Sequence, residues 1–591
     1  MSWLVVALVL SAGCSSDPST GEVADDTGTG GRPDRGGGEE DEEEEDDVDE
    51  SEPDRDGGDP GEDDDADDAA GADSTDFACT EGARRCSGQL VQICSADATW
   101  VAGETCPEGC SAGNCVSGCE AGKTYLGCSF VAVDLDNSLE RQFGNNSAAE
   151  EQFAITLSNP SDQTATVTIR NGAGSIIETL LTINPGDLLR VPLPRADVDN
   201  SVRNRNMYFV DADRPVTAHQ FNPLNNEFVY SNDASLLLPR NTLGRTYVVT
   251  NWPTEVQQVP LFGPRVFRTF ITIVAVQSGV TNVTVQLSSR ASVQAGDGVT
   301  AMAAGTSASW ALQEGEVLSL SSPDTDGVDF SGTLVEADQN IAVFAGAECA
   351  NVPHGNQYCD HLEEQLIPYE GWGTSYMLPN FAQRGREPSV YRILAYAPIT
   401  LRTNPSIAGV DGVALAAGQT LETVSTQDFL VEADLPFAVS QYMVGSAYPG
   451  PENGCLRDSM GPGPIMCDIP SNPDCGVGEN PSAIGDPASL LLIPQNRLLN
   501  DYVFLVPAEY REDWITVVHQ AGDTPILDGT PVSASSSPVG TTGLAVTRVE
   551  LPDGTHRIQT TQPAAVYVYG YDCDVSYAYA GGFDLSSVVS P

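Results

Sequence analysis

A chain of 591 residues is long enough for roughly four domains. Its formal net charge of −57 excludes a nucleic-acid binder that works by neutralising phosphate. With 40% hydrophobic residues it can nonetheless bury sizeable cores.

The apolar run Trp3 to Leu10 is too short to span a bilayer. With the Ser11-Ala12-Gly13-Cys14 that follows, it resembles a bacterial lipoprotein signal. Residues 1–13 are then expected to be removed and Cys14 to carry lipid on its sulfur, holding the chain on a membrane. Ser15 after the cysteine fits retention in an outer membrane, by the same resemblance. The run has no preceding Lys or Arg, and its leucine sits one position early for that motif, so an ordinary secretory signal is the alternative.

Residues 14–76 read as a disordered acidic linker. Asp41 to Asp47 is an unbroken acidic run, and aromatic residues are almost absent. Such a segment buries too little apolar area to offset its ordering entropy, and its self-repulsion extends it into a stalk. Calcium binding by the scattered carboxylates is the weaker reading, because no EF-hand loop is present.

Fifteen cysteines, none in a CxxC pair, point to disulfides in an oxidising compartment rather than to a zinc ribbon. Residues 77–118 hold six of them, Cys79, Cys86, Cys94, Cys106, Cys110 and Cys115. A unit this small cannot build an adequate core without disulfides. A short hairpin is expected from Gln89 to Cys94 and Thr99 to Val101. The unit resembles small cysteine-rich repeats of myxobacterial surface proteins and reads as a rigid spacer.

From Cys119 onward short alternating apolar runs recur between Gly, Pro, Asn and Asp, as in Phe270 to Val276 and Val283 to Ser289. This texture predicts an all-β region. Four segments repeat: 209–222, 334–347, 430–443 and 557–570. Each is expected to turn tightly at its Asp-x-Pro or equivalent, at Pro215, Asn340, Pro436 and Pro563. A second element, SNDASLLLP at 231–239, returns as GDPASLLLIP at 485–494 and more weakly as EEQLIP at 363–368. An aromatic strand follows each. The pattern gives four β-modules, 119–235, 236–365, 366–489 and 490–591, read as tandem β-sandwich-like modules. A four-bladed propeller is the alternative, though its blades are usually much shorter.

The stretch 348–373 concentrates the chemistry. It holds His354, His361, Asp360, Glu363, Glu364, Cys349 and Cys359. The HExxH spacing of zinc enzymes is absent, and Pro353 and Gly355 separate the histidines in an extended loop. A disulfide between Cys349 and Cys359 is the expected use of the cysteines. A metal site at His354, His361 and Asp360 is the subordinate one. No GxSxG elbow or phosphate loop occurs. His219 and His519 lie in alternating strands and read as core, and His556 follows the Asp553-Gly554 turn. Cys119 and Cys128 are expected to pair. Cys455, Cys467, Cys475 and Cys573 would make two bridges, one tying loop 446–484 to the C-terminal strand. That loop is the candidate variable surface.

Ala218 to Pro223, Asn232 to Pro239 and the Cys349 to Gly373 pattern, with its CDHLEEQ core, resemble the N-terminal domain family of IgGFc-binding protein. The resemblance spans roughly 150–575, and bacterial surface proteins carry the same domain. It implies a secreted, β-rich binding or adhesion domain. In the mucus protein the region is associated with immunoglobulin Fc, and the family brings no catalytic residues. The expectation is therefore a lipid-anchored cell-surface protein without a cofactor, taking an extracellular protein or glycan. A secreted metal-dependent hydrolase using His354 and His361, and a structural envelope protein without a ligand, are the alternatives.

Overall fold

The chain divides into two units, Met1–Asp76 and Phe77–Pro591. The computed structural model describes residues 82–586, apart from 88–89, 106–109, 112–113, 116–117, 122, 140–146, 225–230, 260–262, 357, 447, 449–470, 478–479, 509 and 574. The signal and linker segments, Cys14, Cys79, Cys106, Cys455 and Cys467 therefore lie outside the described residues, as does most of loop 446–484. Cys86, Cys110, Cys115 and Cys475 are described through their strands alone.

The described chain is all-β, and its one α-helix is the single turn Gly118–Ala121. At the N-terminal end Arg84–Ser87, Leu90–Cys94 and Trp100–Thr105 form a three-stranded sheet in which Cys94 faces Trp100. Further on, the period-two pattern appears directly as burial. Val280–Gln286 alternates between exposed and buried positions, whereas Thr269–Ala275 is buried at every residue. The first covers one face of a core, and the second runs through the interior between two partner strands.

The four repeats become the long strands β1 (Tyr208–Asn222), β3 (Ile341–Ala350), β5 (Phe429–Tyr442) and β7 (Gly554–Asp572). Each pairs antiparallel with a short strand after it: β2 (Asp233–Leu236), β4 (Asp360–Gln365), β6 (Ser489–Leu491) and β8 (Val575–Ala580). The expected tight turns at Pro215, Pro436 and Pro563 are not formed, because β1, β5 and β7 continue through these prolines without interruption. Only the second copy breaks, between the strand Leu334–Ala337 and β3, with Asn340 in the gap.

The physical reason lies in the ladder. β1 pairs with Ala165–Asn171 as far as Ala212 and resumes at Thr217 against Ala154–Ser158. Pro215 falls in the interval, where it has no N–H to lose and its fixed φ suits extended chain. The strand bends there and passes from one sheet to the other, as strands do at sandwich corners. In the second module the two layers are separate sheets of five and four strands.

A tyrosine pins each of three corners. The Tyr247 hydroxyl accepts the Gly244 N–H at 3.1 Å and donates to Ile341 O at 2.8 Å. Tyr376 repeats this with Gly373 N at 3.1 Å and Phe437 O at 2.6 Å. Tyr502 does the same between Leu499 N and Ala564 O. These tyrosines are the aromatic positions that follow each repeat in the sequence. Gly244 and Gly373, three residues ahead of Tyr247 and Tyr376, permit a close approach, as does Gly127. A Cβ at Gly127, Gly244 or Gly373 would lie 2.4, 2.5 or 2.4 Å from Cβ of Pro239, Pro368 or Pro494, the prolines that end the LLLP-like elements.

The modules close on themselves. β2 packs on β4 and β8, and β6 packs on the same two strands. Thr124 bridges Asp584, and the Leu585 N–H donates to Lys123 O at 2.6 Å, so the last module returns to the first. The closure resembles that of propeller blades, but the spacing between successive long strands β1, β3, β5 and β7 far exceeds a blade of about 40–45 residues. Neighbouring modules also exchange groups. The strand Val202–Asn204 joins a sheet of the second module. The Arg392 guanidinium reaches Asp329 at 2.6 Å while lying 5.4 Å from the Trp252 ring centroid.

Candidate functional site

The residues that attracted attention in the sequence fall into two places, the axis of the ring and a loop at its side. Glu348 and Cys349 lie in β3, His354 lies in the segment after it, and Asp360 opens β4. Cys349 and Cys359 are joined, with Cα atoms 5.1 Å apart, and Cys119 is joined to Cys128. Cys94 and Cys573 are also disulfide-bonded.

At the axis the Asp233 carboxyl is buried and gathers backbone donors from β2, β4, β6 and β8. Oδ1 accepts from Ala234 N at 2.9 Å and Ala578 N at 3.4 Å; Oδ2 accepts from Glu363 N at 3.2 Å and Ser489 N at 3.4 Å. Asp360 does similar work, accepting from Asn232 N at 2.6 Å, His361 N at 2.8 Å and Ser576 N at 3.1 Å. Glu363 accepts from Gln220 Nε2 at 3.3 Å, and Glu364 accepts from the Ser235 hydroxyl at 3.3 Å. Among the described residues none of these four carboxyls is paired with Arg or Lys. Burial pushes all four well above the usual carboxyl range. Each is thereby held toward its neutral form, which the low-dielectric interior favours.

His361 is fully buried beside Phe270, 3.5 Å from Glu363, and burial lowers it to about 3. A neutral imidazole in such a setting belongs to the core. The expected grouping of His354, His361 and Asp360 at one metal is not formed. Asp360 points to the axis and the His361 ring packs beside Phe270, while His354 sits at the side, against the residues before the hairpin of Glu255–Val259 and Gly263–Phe267. Among the described residues the cluster whose ligand atoms all lie within 4.8 Å of one another is Glu255, Asp326 and His354.

The remaining histidines are structural. His219 lies 4.5 Å from the Tyr579 ring, and burial lowers it to about 3. His519 hydrogen-bonds the Thr547 hydroxyl at 2.8 Å, and His556 the Asp528 carboxylate at 2.8 Å. Tyr567, Tyr569 and Tyr571 alternate along β7 in a stripe and are all buried. The Tyr569 hydroxyl accepts from Ala382 N at 2.7 Å, and Tyr571 donates to Ala382 O at 2.7 Å, so the stripe packs one module on the next. Sequence reasoning missed Asp233, Glu255 and Asp326. Asp233 stood inside the recurring DASLLLP element, but nothing local marked it as the axial acceptor. Glu255 and Asp326 carried no spacing signal at all.

Taken together the molecule is a closed set of all-β modules, disulfide-braced, whose buried ionisable groups hold backbone. The family described as IgGFc binding protein matches residues 233–570, more than half of the chain, and the chain belongs to that family. Human IgGFc-binding protein is 26% identical over 301 residues, covering 49% of this chain and 5% of that protein. The chain thus spans a small fraction of the length of the curated relative it matches. Among solved structures, the BSP domain of a biofilm-associated protein is 7% identical, covering 79% of this chain and 97% of its own, with a TM-score of 0.12. A tetra-tandem repeat from the extending region of a large adhesion protein is 11% identical, covering 78% and 99%, with a TM-score of 0.08. At those scores neither bears on the fold.

Proposed function

We propose that this chain is a non-catalytic binding protein of the cell surface, tethered to an outer membrane through lipid on Cys14 and raised from it by the acidic segment 14–76. Its ligand is an extracellular protein, with a glycan as the second class to be screened. The observation that carries the reading is that the chemistry-bearing groups of the family's own stretch are spent inward. Asp233, Asp360, Glu363 and Glu364 are buried and accept hydrogen bonds from backbone and side-chain donors. Membership of a family named for binding an immunoglobulin fragment supports a protein ligand, and loop 446–484 is the surface we assign to it. Two further bridges among Cys455, Cys467, Cys475 and Cys573 would brace that loop.

The test has two arms. Metabolic labelling with palmitate in a bacterial host should mark the chain, and Cys14→Ser should abolish the label and release the protein from the membrane fraction. Purified full-length protein is then applied to arrays of extracellular proteins, immunoglobulin Fc included, and of glycans. Retention of a protein that is lost when residues 449–470 are deleted is the expected result. Silence across both arrays would favour a structural envelope protein instead.

A further inference from the structure

His354, Glu255 and Asp326 come from three separate segments and meet at one point. His354 Nε2 lies 3.2 Å from Glu255 Oε2, 3.4 Å from Asp326 Oδ1 and 3.1 Å from the carbonyl oxygen of Thr254. We propose that these four donors bind one divalent transition-metal ion, best matched by zinc, which staples the side of the second module.

Geometry is the first argument. A ring nitrogen carries at most one proton, so it can satisfy only one of three oxygens by hydrogen bonding. Three oxygens nevertheless crowd around Nε2 at nearly equal distances. Zinc bonds of about 2.0–2.1 Å in a tetrahedron place the donor atoms about 3.3 Å from one another. The three separations fall on that edge length.

Charge is the second. Two carboxylates face one imidazole, so the cluster keeps at least one net negative charge whether or not the ring is protonated. Glu255 is not a free surface acid, since its side chain is only 6% exposed and faces His354 at 3.2 Å. A buried carboxylate needs compensation, and a cation supplies it.

The donors are also held in place. Gly355 N donates to Glu255 Oε2 at 3.1 Å, Val256 N to Asp326 Oδ1 at 2.9 Å, and Gly327 N to Thr254 O at 2.9 Å. The Cys349–Cys359 bridge closes the loop that carries His354. Such outer contacts orient ligands before a metal arrives. One imidazole with three oxygens is too sparse for calcium, which takes six to eight oxygens, whereas imidazole with carboxylate suits zinc. With four protein donors the coordination is complete, as in structural sites.

The full chain is dialysed against Zn2+ in excess Ca2+ and Mg2+, which occupy the weak carboxylate sites of the acidic segment. Bound metal is read by mass spectrometry, and Co2+ substitution reports tetrahedral geometry by its visible absorption. One tight zinc per chain is expected, with a raised Tm. His354→Ala should remove the tight site, and Asp326→Asn, a change at an exposed position, should weaken it by about tenfold or more, the scale on which disturbed metal sites lose affinity. Unchanged far-ultraviolet circular dichroism shows that both variants fold. A wild-type chain without a tight site, or a His354→Ala chain that keeps it, overturns the proposal.

Discussion

The carboxyl of Asp233 accepts the backbone N–H of Ser489 at 3.4 Å, across a sequence separation of 256 residues. The same side chain also holds Glu363 N and Ala578 N, so residues of β2, β4, β6 and β8 meet at one group. Closing β2, β4, β6 and β8 around an axis turns some of their backbone donors toward each other rather than along a ladder. A buried N–H must find an acceptor, and Asp233 provides one.

Replacing Asp233 by Ala should therefore cost much more than a lost side chain. It strands several buried N–H groups, each worth about 1–3 kcal/mol when unsatisfied. The expected loss is about 3–5 kcal/mol, read by urea denaturation. Asp233→Asn keeps one acceptor oxygen and should lose less. A loss below about 1 kcal/mol in the alanine variant would show that the axis does not depend on this carboxyl.

The corner tyrosines give a second measurement. Tyr376→Phe removes one hydroxyl and leaves Gly373 N and Phe437 O without it. The cost should be about 1–2 kcal/mol, with Tyr247→Phe matching it, because each hydroxyl serves one buried donor and one buried acceptor. Equal stability of wild type and both variants would mean that the bend is held by packing alone.

Gly373 tests the close approach. A methyl group there would lie 2.4 Å from Pro494 Cβ and 2.7 Å from Asn496 Oδ1. Gly373→Ala should destabilise by about 2 kcal/mol or more, as overpacking does. Adding Pro494→Gly makes room and should recover part of the loss; a double variant no better than the single one would place the strain elsewhere.

Stability should fall as pH rises from mildly acidic to neutral. Burial, outweighing the Arg268 contacts, raises Glu348 from 4.5 to about 7. The folded state thus binds a proton that the unfolded state has already released. The contribution is fully present below about pH 4.5 and is lost as pH rises through about 7, at about 1.4 kcal/mol per pH unit within that window. The axial carboxyls are shifted the same way. Asp329 behaves oppositely: despite burial, Arg392 holds it below its usual value, so its contribution is lost in strong acid. Thermal unfolding followed from pH 4.5 to 7 should show a falling Tm, and Glu348→Gln should flatten the slope.

Local chemistry made the all-β class, the four repeats and the Cys349–Cys359 pairing legible in the sequence. Alternation, turn residues and short cysteine spacings act over a few residues, so they can be read along a line. The prolines were legible as punctuation but not in their effect. Whether Pro215 turns a strand or bends it depends on which neighbours its flanks pair with, and those lie far away in the chain. His361 looked like a ligand because its carboxylate neighbours are close in sequence, yet the pairing of β4 with β3 turns it into the core. His354 found Glu255 and Asp326 only when the disulfide loop folded back on a hairpin 100 residues earlier. The role of Asp233 likewise exists only once the ring is closed. Composition and period determined what kind of strands this chain makes; tertiary closure decided which carboxyls serve the backbone and which face His354, because burial and donor geometry are properties of the assembled strands.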